Sequence, residues 1–314
     1  MRIGFLVDAT CDLPESYFSS GDVLVMPISV RINDHVLVDS RDQAATREYL
    51  EGNIAKEASE AETQAFTPEQ ISALFLERLV VEYDYVFCLT VTRTRSEIHD
   101  NATQASYGIL RDYHPIREAA ELRTPFSLRV IDTGSLFAGQ GIPVLAGLAM
   151  HAEGAQPPLI RARLEHIAKR THAFAVVPDV YYVRNRARKK GDRSVGLVGA
   201  MMASALDIKP ILHCNQGDTH PIAKLRGFEP AVQKLLLDTA AQVRRGLLVP
   251  AVNVSYGGPM DRLRDFPGYA ELAAACRENS VSLLESQMSM TGAVNLGPGV
   301  LTLGYATEHP LSLS

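Results

Sequence analysis

The stretch VDATCDLP, residues 7–14, decides the first element of the fold, because it ends an apolar run that begins almost at the first residue. A short apolar run bounded by polar residues predicts a buried strand over Ile3–Val7. Asp12 followed by Pro14 predicts a helix start, with an acidic cap and an early proline. Polar side chains between a strand end and a helix are typical of ligand sites in α/β proteins. The alternative is that they only satisfy backbone donors in the turn.

Strand and helix patterns alternate through the rest of the chain. Further apolar runs predict buried strands at Val23–Val30, Tyr85–Val91, Leu128–Ile131, Phe174–Val177, Pro210–His213, Leu247–Val254 and Ser282–Leu284. Helix starts are predicted at a capping box over Thr67–Gln70, at Ser96, and at Ser135 for a long apolar helix through Met150. This alternation predicts an α/β fold with parallel or mixed sheets.

The length of 314 residues exceeds what one hydrophobic core usually serves, so two domains are predicted. The clearest linker is GAQPP at residues 154–158, which is rich in glycine and proline and precedes a predicted helix from Ile160 to Arg170. We therefore expect two α/β domains, at residues 1–155 and 156–314, with the hydroxyl-rich ligand site described below in the first.

Composition and charge exclude several classes of function. Hydrophobic residues make up 46% of the chain and the net charge is −5, so nothing global suggests binding to nucleic acid or to an anionic membrane. No apolar run is long enough to span a bilayer, and the N-terminus is charged too soon for a signal peptide. The four cysteines form no CxxC pair, which predicts free thiols in a reducing cytoplasm.

Residues 184–193, RNRARKKGDR, form a basic run. A solvated loop is one interpretation, and a docking face for an acidic partner is the other. The residues of this run that we assign to docking under the second interpretation are Arg188 and Arg193. A nucleic-acid role would need a recognisable module, and none is present.

Motifs for covalent or metal chemistry are missing from the sequence. Asp8 and Asp12 are four residues apart with Thr10 between them, whereas a haloacid-dehalogenase-type phosphotransferase needs two aspartates two residues apart. There is no GxSxG elbow, no GxxxxGK loop and no zinc spacing among the histidines and cysteines. We therefore expect no metal, no cofactor and no assembled nucleophile and base.

Hydroxyl side chains follow the ends of several predicted strands. Thr63 precedes the capping-box helix, and Thr92 and Ser96 lie between a predicted strand and a predicted helix. Hydroxyls and backbone N–H groups at a helix N-terminus favour an anion such as a carboxylate or phosphate. The alternative is that Ser96 is simply the N-cap of its helix.

Eight segments, in this order along the chain, resemble the motifs of the DegV family of fatty-acid-binding proteins, often called FakB. They are VDATCDLP, VLVMPISVRINDHVLVD, TQAFTPEQ, TVTRTRSEI, VIDTGSLFAGQGI, GLVGAMMASALDIKPIL, IAKLRGFEPAVQKL and GAVNLGPGVLTLGY. No single motif is specific, but the order of all eight is. The resemblance implies two α/β domains with a tunnel, between or beside them, that holds one long-chain fatty acid. It also implies a separate ATP-dependent kinase to which the carboxylate is presented.

The resemblance also implies roles for single residues. Thr63 and Ser96 match the positions that bind the carboxylate, Asp8 and Thr10 match the opening motif near it, and Arg226 matches an arginine expected at the kinase-docking face. Three departures mark a divergent member. The glycine-rich R-x-G-G-R stretch is replaced by the basic run, the second arginine of an R-x-R element by Phe228, and a late histidine by Asn295. Asn295 is still expected at the ligand site, because the histidine that it replaces lies near the carboxylate in the family.

Two alternatives to a fatty-acid carrier remain at this stage. One is a hydrolase or transferase that acts on an acyl or phosphoryl group at the same hydroxyl cluster, with His99 as the general base for Ser96. The other is a regulatory module that has lost the kinase-presenting role, for which the replacement of histidine by Asn295 is the best argument.

Overall fold

A computed structural model describes residues 1–32, 34–52, 61–189, 207–309 and 311. The first sheet is parallel, with strand order β2-β1-β6-β7. Its strands are β1 (Ile3–Asp8), β2 (Leu24–Met26), β6 (Tyr85–Thr90) and β7 (Ser127–Asp132). The apolar runs predicted as strands thus form this sheet. Its central strands β1 and β6 are almost completely buried because helices cover both faces, whereas the edge strand β7 is partly exposed.

Helices pack against the first sheet. They are α1 (Glu15–Ser19), α3 (Pro68–Leu74, continued by a π turn at Phe75–Leu79), α4 (Ile98–Gly108) and α5 (Tyr113–Ala119). The capping box predicted at the start of α3 is present, since Thr67 and Gln70 exchange side-chain and backbone hydrogen bonds. The predicted acidic cap of α1 is wrong, because Pro14 precedes that helix and Asp12 is buried elsewhere.

A second, three-stranded sheet is antiparallel, with order β4-β3-β5. It contains β3 (Ile28–Ile32), β4 (His35–Asp39) and β5 (Glu62–Ala65), and helix α2 (Gln43–Glu51) follows β4. The single strand predicted over residues 23–30 is therefore two strands in different sheets. Pro27 separates them, because proline lacks the N–H that a continuous ladder needs.

The third sheet has six strands in the order β10-β9-β8-β13-β11-β12. Its strands are β8 (Thr171–Val176), β9 (Ile208–Asn215), β10 (Asp218–Arg226), β11 (Ala251–Tyr256), β12 (Ser282–Gln287) and β13 (Leu301–Ala306). All neighbours are antiparallel except the pair β11 and β12. Strands β4, β5, β10 and β13 were not among those predicted from the apolar runs.

The remaining helices cover or border the six-stranded sheet. They are α6 (Gly141–Ala152), α7 (Pro157–Arg170), α8 (Val180–Lys189), α9 (Phe228–Arg245), α10 (Tyr269–Glu278) and α11 (Met290–Leu296). The GAQPP segment is a tight connection between α6 and α7, which pack together. The domain boundary at 155/156 stays a prediction, although the parallel and six-stranded sheets fall on opposite sides of it.

The long helix predicted from Ser135 begins later than expected. Residues Phe137–Gly139 form a 3-10 turn, and the α-helix starts only at Gly141. A Cβ built on Gly304 would lie 2.4 Å from the Cα of Gly139, so two glycines allow the turn to touch β13. This close approach joins the end of the parallel sheet to the six-stranded sheet.

All four cysteines are buried and free, as the sequence predicts. Among the residues that the structure describes, no helix is long and apolar enough to cross a membrane. Within the same residues, no cluster of three or more His, Cys, Asp or Glu could hold a metal ion.

A histidine pair, in which His213 is buried and His172 is half-buried, should make the fold sensitive to acid. His172 Nδ1 lies 2.9 Å from His213 Nε2, and burial lowers the pKa of both imidazoles to about 4. An unfolded histidine titrates near pH 6.5, so their contribution to stability is complete above that pH and is lost as the pH falls toward 4. We expect the pair to cost on the order of 2–4 kcal/mol of unfolding free energy between pH 7 and pH 4.

Urea unfolding of the native chain and of the double variant His172→Leu/His213→Leu at these two pH values measures this effect. The double variant should lose less stability on acidification, whereas His35→Gln, at an exposed position on β4, should behave like the native chain. Equal acid sensitivity of the native chain and the double variant would contradict the prediction.

Candidate functional site

A cavity of about 860 Å³ lies where the three sheets meet. This volume is within the range of roughly 300–1,000 Å³ that is usual for small-molecule sites. Much of its wall is apolar, with contributions from Ile28, Val91, Leu136, Phe137, Ala173, Ala175, Val183, Leu212 and Leu296. Polar side chains also line it, namely Thr10, Thr63, Gln64, Thr94, Ser96, Asn101 and Asn295, together with Arg93, Arg95 and Arg186. The cavity therefore suits a largely apolar ligand with a polar or charged group.

Thr63 and Asn295, both candidates from the sequence, are brought together on the cavity wall. Thr63 lies in β5 and Asn295 in the short helix α11, and Asn295 Nδ2 is 3.4 Å from Thr63 Oγ1. The same amide nitrogen donates to the carbonyl of Thr291 at 2.8 Å, one helical turn earlier. Asn295 is thus oriented by its own helix toward the hydroxyl of Thr63.

Ser96 and Thr94 line the cavity from the loop between β6 and α4. The N-cap of α4 is Glu97, so the helix start and capping role predicted for Ser96 are wrong. Ser96 Oγ instead accepts a 3.3 Å hydrogen bond from the N–H of Ile98 in the turn that leads into α4. Thr94 Oγ1 donates to the carbonyl of Gly217 in the β9–β10 turn at 2.9 Å. Thr92 is fully buried, 3.3 Å from Thr94 Oγ1, and is not among the described residues that line the cavity.

Asp8 and Thr10, at and just after the end of β1, occupy different positions relative to the cavity. Thr10 lines the cavity, whereas Asp8 is fully buried behind it and accepts hydrogen bonds from the N–H of Val91 at 2.6 Å and from Gln140 Nε2 at 3.0 Å. Burial raises the pKa of the Asp8 carboxyl, and hydrogen bonds from Thr10, Val91 and Gln140 oppose the rise. Asp8 holds together the loops that follow β1 and β6, so its geometry is that of a support for the cavity wall.

The basic run differs from the predicted solvated loop. Its first part belongs to α8, where Arg186 is only 5% exposed and lines the cavity, while Arg188 is exposed. Arg193 lies outside the described residues. Arg226 is exposed at the end of β10. The apolar positions Val180 and Val183, three residues apart ahead of Arg186, were the signal that could have revealed a helix with one buried face.

Asp12 has a role that the turn pattern did not indicate. Its carboxylate pairs with Arg41 Nη1 at 2.9 Å and accepts hydrogen bonds from Ser255 Oγ at 2.6 Å and from the N–H of Ser289 at 2.9 Å. Burial raises the pKa of Asp12, and the Arg41 guanidinium is the largest opposing influence. Arg41 also donates to the carbonyl of Gln287. The pair therefore connects the loops after β1 and β4 to the β11 and β12 ends of the six-stranded sheet.

The pairing of His99 with Ser96 that a hydrolase would need is not formed between these two described residues. His99 Nδ1 lies 3.1 Å from Thr90 Oγ1, on the buried side of α4, and burial lowers the pKa of the imidazole. Ser96 Oγ instead accepts a hydrogen bond from the N–H of Ile98, the first residue of α4. The geometry supports recognition of a ligand by Ser96 more directly than its activation as a nucleophile.

Comparison with known proteins agrees with this fold. The sequence model of the family described as "Uncharacterised protein, DegV family" matches residues 2–308. A DegV domain-containing protein of Xanthomonas campestris pv. campestris is 52% identical over 308 residues, which cover 98% of each chain. The chain belongs to the DegV family.

Solved structures share the fold at lower identity. The structure titled "Fatty Acid Binding of a DegV family Protein from Thermus thermophilus" superposes with a TM-score of 0.74 at 21% identity, covering 98% of this chain and 100% of that one. The Streptococcus pneumoniae Fatty Acid Kinase (Fak) B3 protein loaded with linoleic acid gives a TM-score of 0.72 at 18% identity, covering 98% and 99%. The predicted α/β class is therefore confirmed.

The Asp12–Arg41 pair should be a large contributor to stability. Arg41→Met leaves the Asp12 carboxylate buried without its counter-charge, which we expect to lower the unfolding free energy by about 3–5 kcal/mol. The matched control is Arg78→Met, which removes an exposed ion pair with Glu82 and should cost at most about 1 kcal/mol. Urea unfolding at pH 7 measures both variants, and similar losses in the two would contradict the assignment.

Proposed function

We propose that this protein binds one long-chain fatty acid in the cavity, with its carboxylate near Thr63 and Ser96. The observation that carries the proposal is a cavity that combines a largely apolar wall with hydroxyl groups from two separate elements. Membership of the DegV family and the fatty acids named for the Thermus and Streptococcus relatives support it. The protein acts as a carrier in this proposal and not as an enzyme.

The lipid tail and the head group are expected to contribute different amounts to the free energy of binding. A sixteen-carbon tail gains about 11 kcal/mol gross at roughly 0.8 kcal/mol per buried methylene. Association and ordering remove a large part of that gain. A neutral hydroxyl that donates to a carboxylate adds only about 1.5–3 kcal/mol. The tail therefore supplies most of the affinity, and Thr63 and Ser96 supply orientation.

Presentation of the carboxylate to a fatty-acid kinase is the finer part of the proposal. The resemblance to a protein named as part of a fatty acid kinase supports it, and the exposed arginines Arg188 and Arg226 are candidates for docking. Arg193 remains a third candidate.

A cytoplasmic location stays a prediction. The second candidate function, a regulatory module that has lost the kinase-presenting role, is favoured by Asn295 at the position of the expected histidine.

Loss of the two hydroxyls tests the proposed carboxylate site. Thr63→Val and Ser96→Ala should each weaken fatty-acid binding by about 1.5–3 kcal/mol, because each removes a hydrogen bond to a charged group. Displacement of a fluorescent fatty acid measures affinity, and mass spectrometry of the purified native chain should find close to one fatty acid per chain.

Ser106→Ala is the matched control, because Ser106 lies on α4, outside the cavity, and donates only within its own helix. It should bind like the native chain. A double variant of Thr63 and Ser96 with native affinity would show that the carboxylate lies elsewhere, and a native chain that takes up no fatty acid would refute the proposed function.

Asn295 should remove a pH dependence that the expected histidine would supply. A histidine changes charge near neutral pH, whereas asparagine does not. Native affinity should therefore change little between roughly pH 5 and 8, and Asn295→His should bind more tightly at the acidic end of that range. We also expect the native chain to support less acyl-phosphate formation by a DegV-associated fatty-acid kinase than Asn295→His does. Equal acyl-phosphate formation by both would contradict the role given to this residue.

A further inference from the structure

Arg186 is a buried cation on the cavity wall. Its side chain is 5% exposed, it lines the cavity, and its Nη1 donates to the backbone carbonyl of Ala61. Its Nε is buried and has no hydrogen-bond partner. Within the described part of the chain, no carboxylate pairs with this guanidinium. A buried guanidinium bonded to a neutral carbonyl is poorly compensated for the loss of water.

A second buried polar atom close to Arg186 is also unsatisfied. The hydroxyl of Tyr49 on α2 is buried without a hydrogen-bond partner, and Tyr49 packs in the same core cluster as Ala61. Buried polar groups in folded proteins are nearly always hydrogen-bonded, so two such groups in one region require an explanation. An anion bound beside Arg186 would supply the missing counter-charge of the guanidinium.

The position of Arg186 matches the proposed carboxylate site. Ala61, which accepts its hydrogen bond, is two residues before Thr63 in the segment that enters β5. Helix α8 is tied to α11 by the hydroxyl of Tyr182, which donates to the carbonyl of Val294 at 2.7 Å, next to Asn295. The guanidinium, the threonine hydroxyl and the asparagine amide thus stand on three elements that are bonded to one another.

We propose that Arg186 pairs with the carboxylate of the bound lipid and makes the cavity selective for anionic lipids over neutral lipids of equal chain length. This inference rests on the proposed function and names the charge that the head group must carry. A guanidinium and a carboxylate form charge-assisted hydrogen bonds, which are about twice as strong as neutral ones. The apolar wall alone would not distinguish a fatty acid from the corresponding alcohol.

The same proposal makes a separate prediction for the thermal stability of the protein without lipid. A buried charge without a counter-charge destabilises the folded chain, so Arg186→Met without lipid should melt at or above the temperature of the native chain. The rise in melting temperature caused by hexadecanoate should be smaller in Arg186→Met than in the native chain, because the ligand loses its counter-charge. A purely structural arginine would give the opposite result, with a large loss of stability in the absence of lipid.

The decisive experiment compares hexadecanoate and hexadecanol as competitors of a fluorescent lipid on delipidated protein. The native chain should prefer the acid, and Arg186→Gln should lose about 10- to 100-fold in affinity for the acid while keeping its affinity for the alcohol. Arg186→Lys should retain part of the preference, because it keeps the charge without the planar fork. Arg188→Gln, two residues later on the same helix and exposed, is the matched control and should bind both like the native chain.

Each outcome separates this inference from the proposed function. Native affinity of Arg186→Gln for hexadecanoate overturns the role of Arg186 and leaves fatty-acid binding intact. Equal losses for acid and alcohol in both Arg186 variants also overturn it, because they indicate a structural role. If the native chain binds neither hexadecanoate nor hexadecanol, the proposed function itself fails.

Discussion

The ion pair between Asp12 and Arg41 is the interaction on which the arrangement of the three sheets depends. Asp12 has no exposed surface, and the two residues are contributed by the loops that follow β1 of the parallel sheet and β4 of the three-stranded sheet. Ser255 and Ser289 complete the coordination of the carboxylate from the six-stranded sheet side. Because a buried carboxylate needs all of these partners, the sheet ends around the cavity are held in one relative position.

This constraint explains why residues remote in sequence can form one binding surface. Asp39, beside Arg41, accepts hydrogen bonds at 2.7 Å from the N–H and the hydroxyl of Thr291, which places α11 against the three-stranded sheet. That contact in turn brings Asn295 to Thr63. The cavity is therefore preformed by buried polar contacts, and a ligand does not have to assemble its own site.

Local patterns predicted much of the fold but few of these contacts. The apolar run of β1 and the capping box of α3 were predicted correctly, because periodicity and capping depend on neighbours in sequence. Asp12 was assigned to a helix cap because its real partner, Arg41, is 29 residues away and Ser255 is 243 residues away. Thr63 and Ser96 became candidates through their hydroxyls near strand and helix ends and through family resemblance, and both line the cavity. Arg186 was missed because a run of positive charge does not show which side chain turns inward.

Different parts of the molecule set the affinity of the site for a lipid tail and its selectivity among lipid head groups, and Arg186 sets the second. Apolar residues from the three-stranded and six-stranded sheets and from the loops after β6 and β7 make the volume that a lipid tail needs, and they favour any apolar chain of suitable length. The hydroxyls of Thr63 and Ser96 can orient a head group but can bond an alcohol as well as an acid. A buried guanidinium is different, because its field is weakly screened and favours only an anion. The buried charge of Arg186 thus destabilises the ligand-free protein, and a bound carboxylate removes that destabilisation. The same charge decides which lipid is held.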